Sequence, residues 1–174
     1  SSRSIVLPMR HKFRPSLSSF TRLVLAALSL ALLACEPTLI PNTRVVDTQA
    51  NREVVEFVEK YRRAVEERNI AALLALASKN YFDDMGTPGG EDDIDYDGLK
   101  DGLTRMREEV ISARYQISYR AVTYAADDRV LVDMLYTGWF RVNTPEGPQW
   151  KRRLEPHRIV LAREDNQYRI VSGM

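Results

Sequence analysis

From Asn51 onward apolar residues recur at the three-and-four spacing of one helix face: Val54, Val55, Phe57, Val58, Tyr61, Ala64 and Val65. Glu53, Glu56, Glu59, Lys60, Arg62, Arg63, Glu66 and Glu67 fill the opposite face, with Glu56–Lys60 and Glu59–Arg63 spaced as supportive pairs one turn apart. Asn69 breaks the period, and Ile70, Leu73, Leu74, Leu76 and Ala77 open a second, short helix. Residues 86–98, rich in glycine and acids, read as a loop. Leu99, Leu103, Met106 and Val110 then mark a third amphipathic helix. After Ser112 the character changes. Residues 113–125, 129–142, 149–163 and 167–172 are rich in Val, Ile, Tyr, Thr and Trp and are separated by hairpin-type connections. Three helices followed by a four-stranded antiparallel meander predict an α+β domain.

Alternation within the second strand is unusual. One face would carry Val130, Val132, Met134, Tyr136, Gly138, Phe140 and Val142; the other Leu131, Asp133, Leu135, Thr137, Trp139 and Arg141. A sheet with one wet face alternates apolar with polar, so two largely apolar faces predict that both are covered, the second by another subunit or by residues 36–50.

The N-terminal segment follows different rules. Residues 10–22 are basic and contain no acid, and residues 23–34 are uninterrupted apolar and small residues. Twelve residues make about 18 Å of helix, short of a bilayer core of about 30 Å. This is the layout of a secretory signal, with residues 1–8 expected to precede a start at Met9. Leu32-Leu33-Ala34-Cys35 resembles the lipobox of bacterial lipoproteins. That resemblance implies lipidation at Cys35 and a lipid-anchored place in the cell envelope. By resemblance to enterobacterial lipoprotein sorting, Glu36 after the cysteine implies the outer membrane, with the domain facing the periplasm. The organisation expected is a signal over 1–34, a lipidated cysteine and tether over 35–50, and a domain over 51–174. Two interpretations of the tether stay open. Its prolines suit an extended leash of at most about 50 Å, whereas Leu39, Ile40, Val45 and Val46 suit docking along the domain.

Charge sharpens the contrast. Arg3, Arg10, Lys12, Arg14 and Arg22 account for five of the 25 basic residues, which leaves 20 basic against 24 acidic side chains beyond the signal. A net-acidic body argues against nucleic acid as a partner. A single cysteine excludes a disulfide framework and a cysteine-based zinc site.

Residues 61–76, Tyr-Arg-Arg-Ala-Val-Glu-Glu-Arg-Asn-Ile-Ala-Ala-Leu-Leu-Ala-Leu, resemble the opening helices of the nuclear transport factor 2-like (SnoaL-like) superfamily, and Tyr168–Gly173 resembles its last strand. The resemblance covers about residues 51–174. It implies a cone-shaped barrel, a curved sheet wrapped around the long first helix with a pocket at its open end. Sheet-to-sheet dimers are common in that superfamily, so a homodimer or an envelope protein partner is expected on the second face. Its members include isomerases, dehydratases, epoxide hydrolases, ligand-binding modules and secretion components, so the fold constrains function little.

Candidate chemistry is sparse. Asp133 among Leu131, Leu135 and Trp139 is either a base with a raised pKa or the partner of Arg158 or Arg152. His157 is the only histidine beyond the signal, a proton shuttle without a second histidine to form a metal site. Tyr81, followed by Asp83 and Asp84, falls where the resembled fold opens its pocket. Asp133, Tyr81 and His157 are therefore the catalytic candidates. Tyr61, Tyr81, Tyr136, Trp139 and Arg158 are the candidates for ligand contact. Asp93, Asp95 and Asp97 match the start of a calcium loop, but Thr104 stands where its bidentate Glu belongs, and a helix cap explains the same aspartates. Lys151, Arg152, Arg153, Arg158, Arg163 and Arg169 gather in the last strands. No glycine-rich phosphate loop, nucleophile elbow or Cys–His pair is present, so no cofactor is expected.

The function expected is a membrane-anchored module that binds a small apolar ligand or a protein partner, with no complete catalytic set. The alternatives are a pocket isomerase, dehydratase or hydrolase using Asp133, Tyr81 or His157, and a structural subunit of a secretion or motility assembly.

Overall fold

The computed structural model describes residues 37–87 and 89–174. The signal-like segment and Cys35 lie outside the described residues, and no described helix is long and apolar enough to cross a membrane.

Helix α1 spans Gln49–Glu66 and starts two residues before the apolar period, because the Thr48 side chain caps it, accepting the Asn51 N–H at 3.1 Å. Its apolar face is buried from Val54 to Val65. After Arg68, in the left-handed region at φ 52°, Asn69 caps α2 (Ile70–Leu76), which buries only Leu73. Within the glycine-rich loop two short strands pair, β1 (Phe82–Asp83) and β2 (Ile94–Asp95), a detail too brief for any periodicity to announce. Asp95 caps α3 (Tyr96–Glu109) by accepting the Gly98 N–H at 2.8 Å.

Val110 continues the apolar spacing of α3 but begins β3 (Val110–Tyr124), followed by β4 (Val130–Val142), β5 (Gln149–Glu164) and β6 (Gln167–Ser172). The β-branched pair Val110-Ile111 favours the strand over a further helical turn. The four strands form one antiparallel sheet in the order β3-β4-β5-β6. Register shifts beside Tyr119 in β3 and Val160 in β5 add the local bend that a wrapping sheet needs. Asp165 and Asn166, both at positive φ, make the two-residue turn between β5 and β6, where Asx residues tolerate that conformation.

Helix α1 packs on the inner face of the sheet. Tyr119 donates its hydroxyl to Glu59 at 2.8 Å, and Glu66 accepts the Tyr115 N–H at 2.9 Å, which pins the helix along β3. Burial raises the Glu66 carboxyl, but the Tyr115 N–H and the Arg62 guanidinium outweigh it and hold the carboxyl below its usual value. Val132, Met134, Ile159, Leu161 and Ile170 fill the space beneath. Residues 38–48 dock rather than dangle: Leu39 bridges Val46, the Arg44 N–H reaches the Tyr119 carbonyl at 3.1 Å, and Val45 is 2% exposed. The compact body accordingly begins at Thr38.

Tyrosine is the dominant buried polar residue of this core. Burial pushes the Tyr61 hydroxyl up to about 12, and also raises Tyr81, Tyr115, Tyr119, Tyr124 and Tyr136. The unfolded chain releases these protons near pH 10, whereas the folded chain holds them to higher pH. The stability they confer is thus complete below pH 10 and is lost as the pH climbs through the folded values. An alkaline titration followed together by tyrosinate absorbance and circular dichroism should show ionisation of the buried rings coinciding with unfolding. Ionisation of every ring near pH 10 with the helix signal intact would contradict it.

Candidate functional site

Between α1, α3 and the inner face of the sheet lies a cavity of about 650 Å³, within the usual range of about 300–1,000 Å³ for small-molecule sites. Val65, Leu73, Leu99, Leu103, Met106 and Phe140 supply apolar wall. Gly138 makes room for one of these, since a Cβ there would meet the Phe140 ring at 2.4 Å.

A row of aromatic side chains crosses the cavity. Tyr61 meets Tyr115 edge-on with ring centres 6.2 Å apart, Tyr115 stacks on Tyr136 at 5.0 Å, and Tyr136 meets His157 edge-on at 5.7 Å. The Tyr136 hydroxyl donates to Glu155 Oε2 at 3.1 Å. His157 Nε2 lies 2.8 Å from the Gly173 carbonyl oxygen. A carbonyl only accepts, so Nε2 carries a proton and donates it to Gly173.

Gly173 belongs to a clasp at the end of β6. Its N–H donates to Asp83 Oδ2 at 2.7 Å, the Tyr81 hydroxyl donates to the same oxygen at 3.2 Å, and the Met174 N–H donates to the Tyr81 oxygen at 3.0 Å. Gly173 sits at φ +87°, and a Cβ there would lie 2.1 Å from the Arg158 carbonyl oxygen. Both conditions admit glycine alone.

The structure separates the candidates that the sequence singled out. Tyr61, Tyr136 and His157 line the cavity. Tyr81 is buried with its hydroxyl engaged in the clasp and is not part of the cavity wall. Asp133 pairs with Arg158 across β4 and β5 at 2.7 and 3.2 Å on the outer face of the sheet. Trp139 shares that face, with the Arg152 guanidinium 5.7 Å from its ring centre. These three therefore stand on the opposite side of the sheet from the cavity: Val132, Met134 and Tyr136 take the inner positions, and strand alternation turns Asp133 and Trp139 outward. Asp95 is occupied as the cap of α3, and among the described residues no group of three or more His, Cys, Asp or Glu side chains could hold a metal ion. Tyr115, Lys151 and Arg153 are cavity residues that the sequence did not single out for ligand contact. The signal existed in β5, where Lys151, Arg153 and His157 share parity with the buried Ile159 and Leu161.

No family model matches this sequence, and no curated protein matches it significantly. Solved structures do. A candidate scytalone dehydratase from Novosphingobium aromaticivorans superposes with a TM-score of 0.61 at 11% identity, over 71% of this chain and 80% of that one. A hexachlorocyclohexane dehydrochlorinase of type 2 gives 0.57 at 12% identity, over 71% and 82%. A candidate calcium/calmodulin-dependent protein kinase II association domain from Xanthomonas campestris gives 0.57 at 17% identity, over 80% and 91%. The domain has the nuclear transport factor 2-like, SnoaL-like cone fold. Likeness at such identities establishes architecture, and the neighbours' names span enzymes and an association module.

Proposed function

We propose that this domain is a binding module for a small, largely apolar molecule, carried on a lipid-anchored envelope protein. The observation that carries the binding is the cavity of about 650 Å³, walled by apolar side chains and crossed by the Tyr61–Tyr115–Tyr136–His157 row. An apolar enclosure with a few polar groups at fixed positions is the form ligand sites take. The anchoring rests on the Leu32–Cys35 motif and its preceding apolar run. The outer sheet face presents Leu131, Leu135 and Trp139 together with Trp150 and Leu154, 58% and 51% exposed, and in this proposal a second copy covers it.

A pocket enzyme is the second reading, and His157 favours it. Its ring is held on the cavity wall by the Gly173 carbonyl, and imidazole is a usual acid–base group. The dehydratase and dehydrochlorinase names among the fold neighbours support the same direction.

Native mass spectrometry of the protein purified from its host membranes tests these together. The expected species begins at an acylated Cys35, contains two chains and carries a reproducible small-molecule mass. An unmodified monomer without added mass would overturn the proposal. Conversion of the released molecule on incubation with fresh protein, lost in His157→Ala, would favour the enzyme.

A further inference from the structure

Strand β5 is amphipathic in the reverse of the usual sense over its first half. Lys151, Arg153, Glu155 and His157 take the same parity as the buried Ile159 and Leu161, and so face the cavity side. Trp150, Leu154 and Pro156 take the outward parity, with Arg152 the one charged residue among them. A one-sided sheet normally directs its polar residues to solvent and its apolar residues inward. Along a strand, side chains of one face stand about 7 Å apart, so these groups form a ladder up the cavity wall.

Charge on that wall is net cationic. Lys151 and Arg153 from β5 and Arg105 from α3 line the cavity, against the carboxylates of Glu109 in its wall and Glu155 on the same ladder. None of these three cations forms a salt bridge among the described residues. Glu155, the nearest acid on the ladder, accepts the Tyr136 hydroxyl. Arg105, Lys151 and Arg153 are exposed and keep their water at the cavity mouth, so an apolar molecule gains nothing from them. A ligand that brings an anion of its own pairs with them, and a guanidinium binds a carboxylate with two parallel hydrogen bonds.

We infer that the cavity takes an amphiphilic carboxylate, its apolar body against the α1–α3 wall and its carboxylate at Lys151 and Arg153. This rests on the pocket proposed above as the functional site, and names the class of molecule it holds.

The test is calorimetric titration of the full chain with decanoate, decanol and decylammonium, repeated with Lys151→Gln/Arg153→Gln. Both substituted residues are exposed, and decanol binding serves as the control for an intact cavity. Decanoate should bind at least about tenfold more tightly than decanol, as a charge-assisted hydrogen bond predicts, and decylammonium most weakly. In the double variant decanoate should fall to the decanol level while decanol is unchanged. Equal binding of decanoate and decanol would overturn the charge inference and leave the apolar pocket standing. A decanoate preference that survives in the double variant would overturn the assignment to Lys151 and Arg153. Absence of binding by all three would overturn the pocket itself.

Discussion

Gly173→Ala should lower the thermal midpoint by on the order of 10 °C. The added Cβ would sit 2.1 Å from the Arg158 carbonyl oxygen, against backbone that has no rotamer with which to move aside. The φ of +87° adds strain for any L side chain, and the two together cost about 3 kcal/mol or more. The consequence reaches the cavity. Gly173 supplies the carbonyl that fixes His157 and the N–H that holds Asp83, so a shift there frees the imidazole and loosens Tyr81. Thermal denaturation by circular dichroism measures the first effect, and the His157 ring shifts in NMR measure the second. A variant as stable as the parent, with an unmoved imidazole, would show that the clasp is ornamental.

Leu73→Ala should cost about 3–5 kcal/mol, since removing a fully buried leucine forfeits transfer energy and leaves a void. Leu73 is 0% exposed, is the only buried residue of α2, and also forms part of the cavity wall. Two results follow from that double position. Stability falls because α2 loses its one fully buried side chain and keeps only the half-buried Ile70, Ala72 and Leu76, and the cavity gains the volume of the lost side chain. A ligand that occupies the enlarged space binds only the folded state, and so restores part of the loss by mass action. Chemical denaturation of the variant with and without decanol checks both. A loss below about 1 kcal/mol would mean that α2 is held by its cap and not by its packing.

The legibility of this fold differs from element to element. The period of α1 and the alternation of β4 could be read directly, because each depends on residues adjacent in the chain. Periodicity alone assigns Val110 to the wrong element: it lies seven residues after Leu103, a spacing consistent with the α3 face, yet sheet pairing with Val142 makes it the first residue of β3. Docking of residues 38–48 is one of two readings the sequence leaves open, since the prolines suit a leash while Leu39, Ile40, Val45 and Val46 suit docking. The site was legible to a lesser degree. Alternation put Asp133 and Tyr136 on opposite faces, but with both faces of β4 apolar nothing local said which was inward. That choice is made by α1, through contacts such as Tyr119 to Glu59, sixty residues apart. The same choice decides that Lys151 and Arg153 face a cavity and not water, and it separates His157 from Arg158 although they are chain neighbours.

The placement of the aromatic residues also gives the molecule two independent optical reporters. Both tryptophans, Trp139 and Trp150, stand on the outer sheet face, while the cavity wall holds Tyr61, Tyr115 and Tyr136 and no indole. Indole emission therefore reads events on the outer surface, such as the arrival of another chain. Occupancy of the interior is silent in that channel except through energy passed from tyrosine across the sheet. Excitation at the long-wavelength edge, where indole absorbs and phenol does not, can thus follow assembly without a label and without interference from ligand uptake.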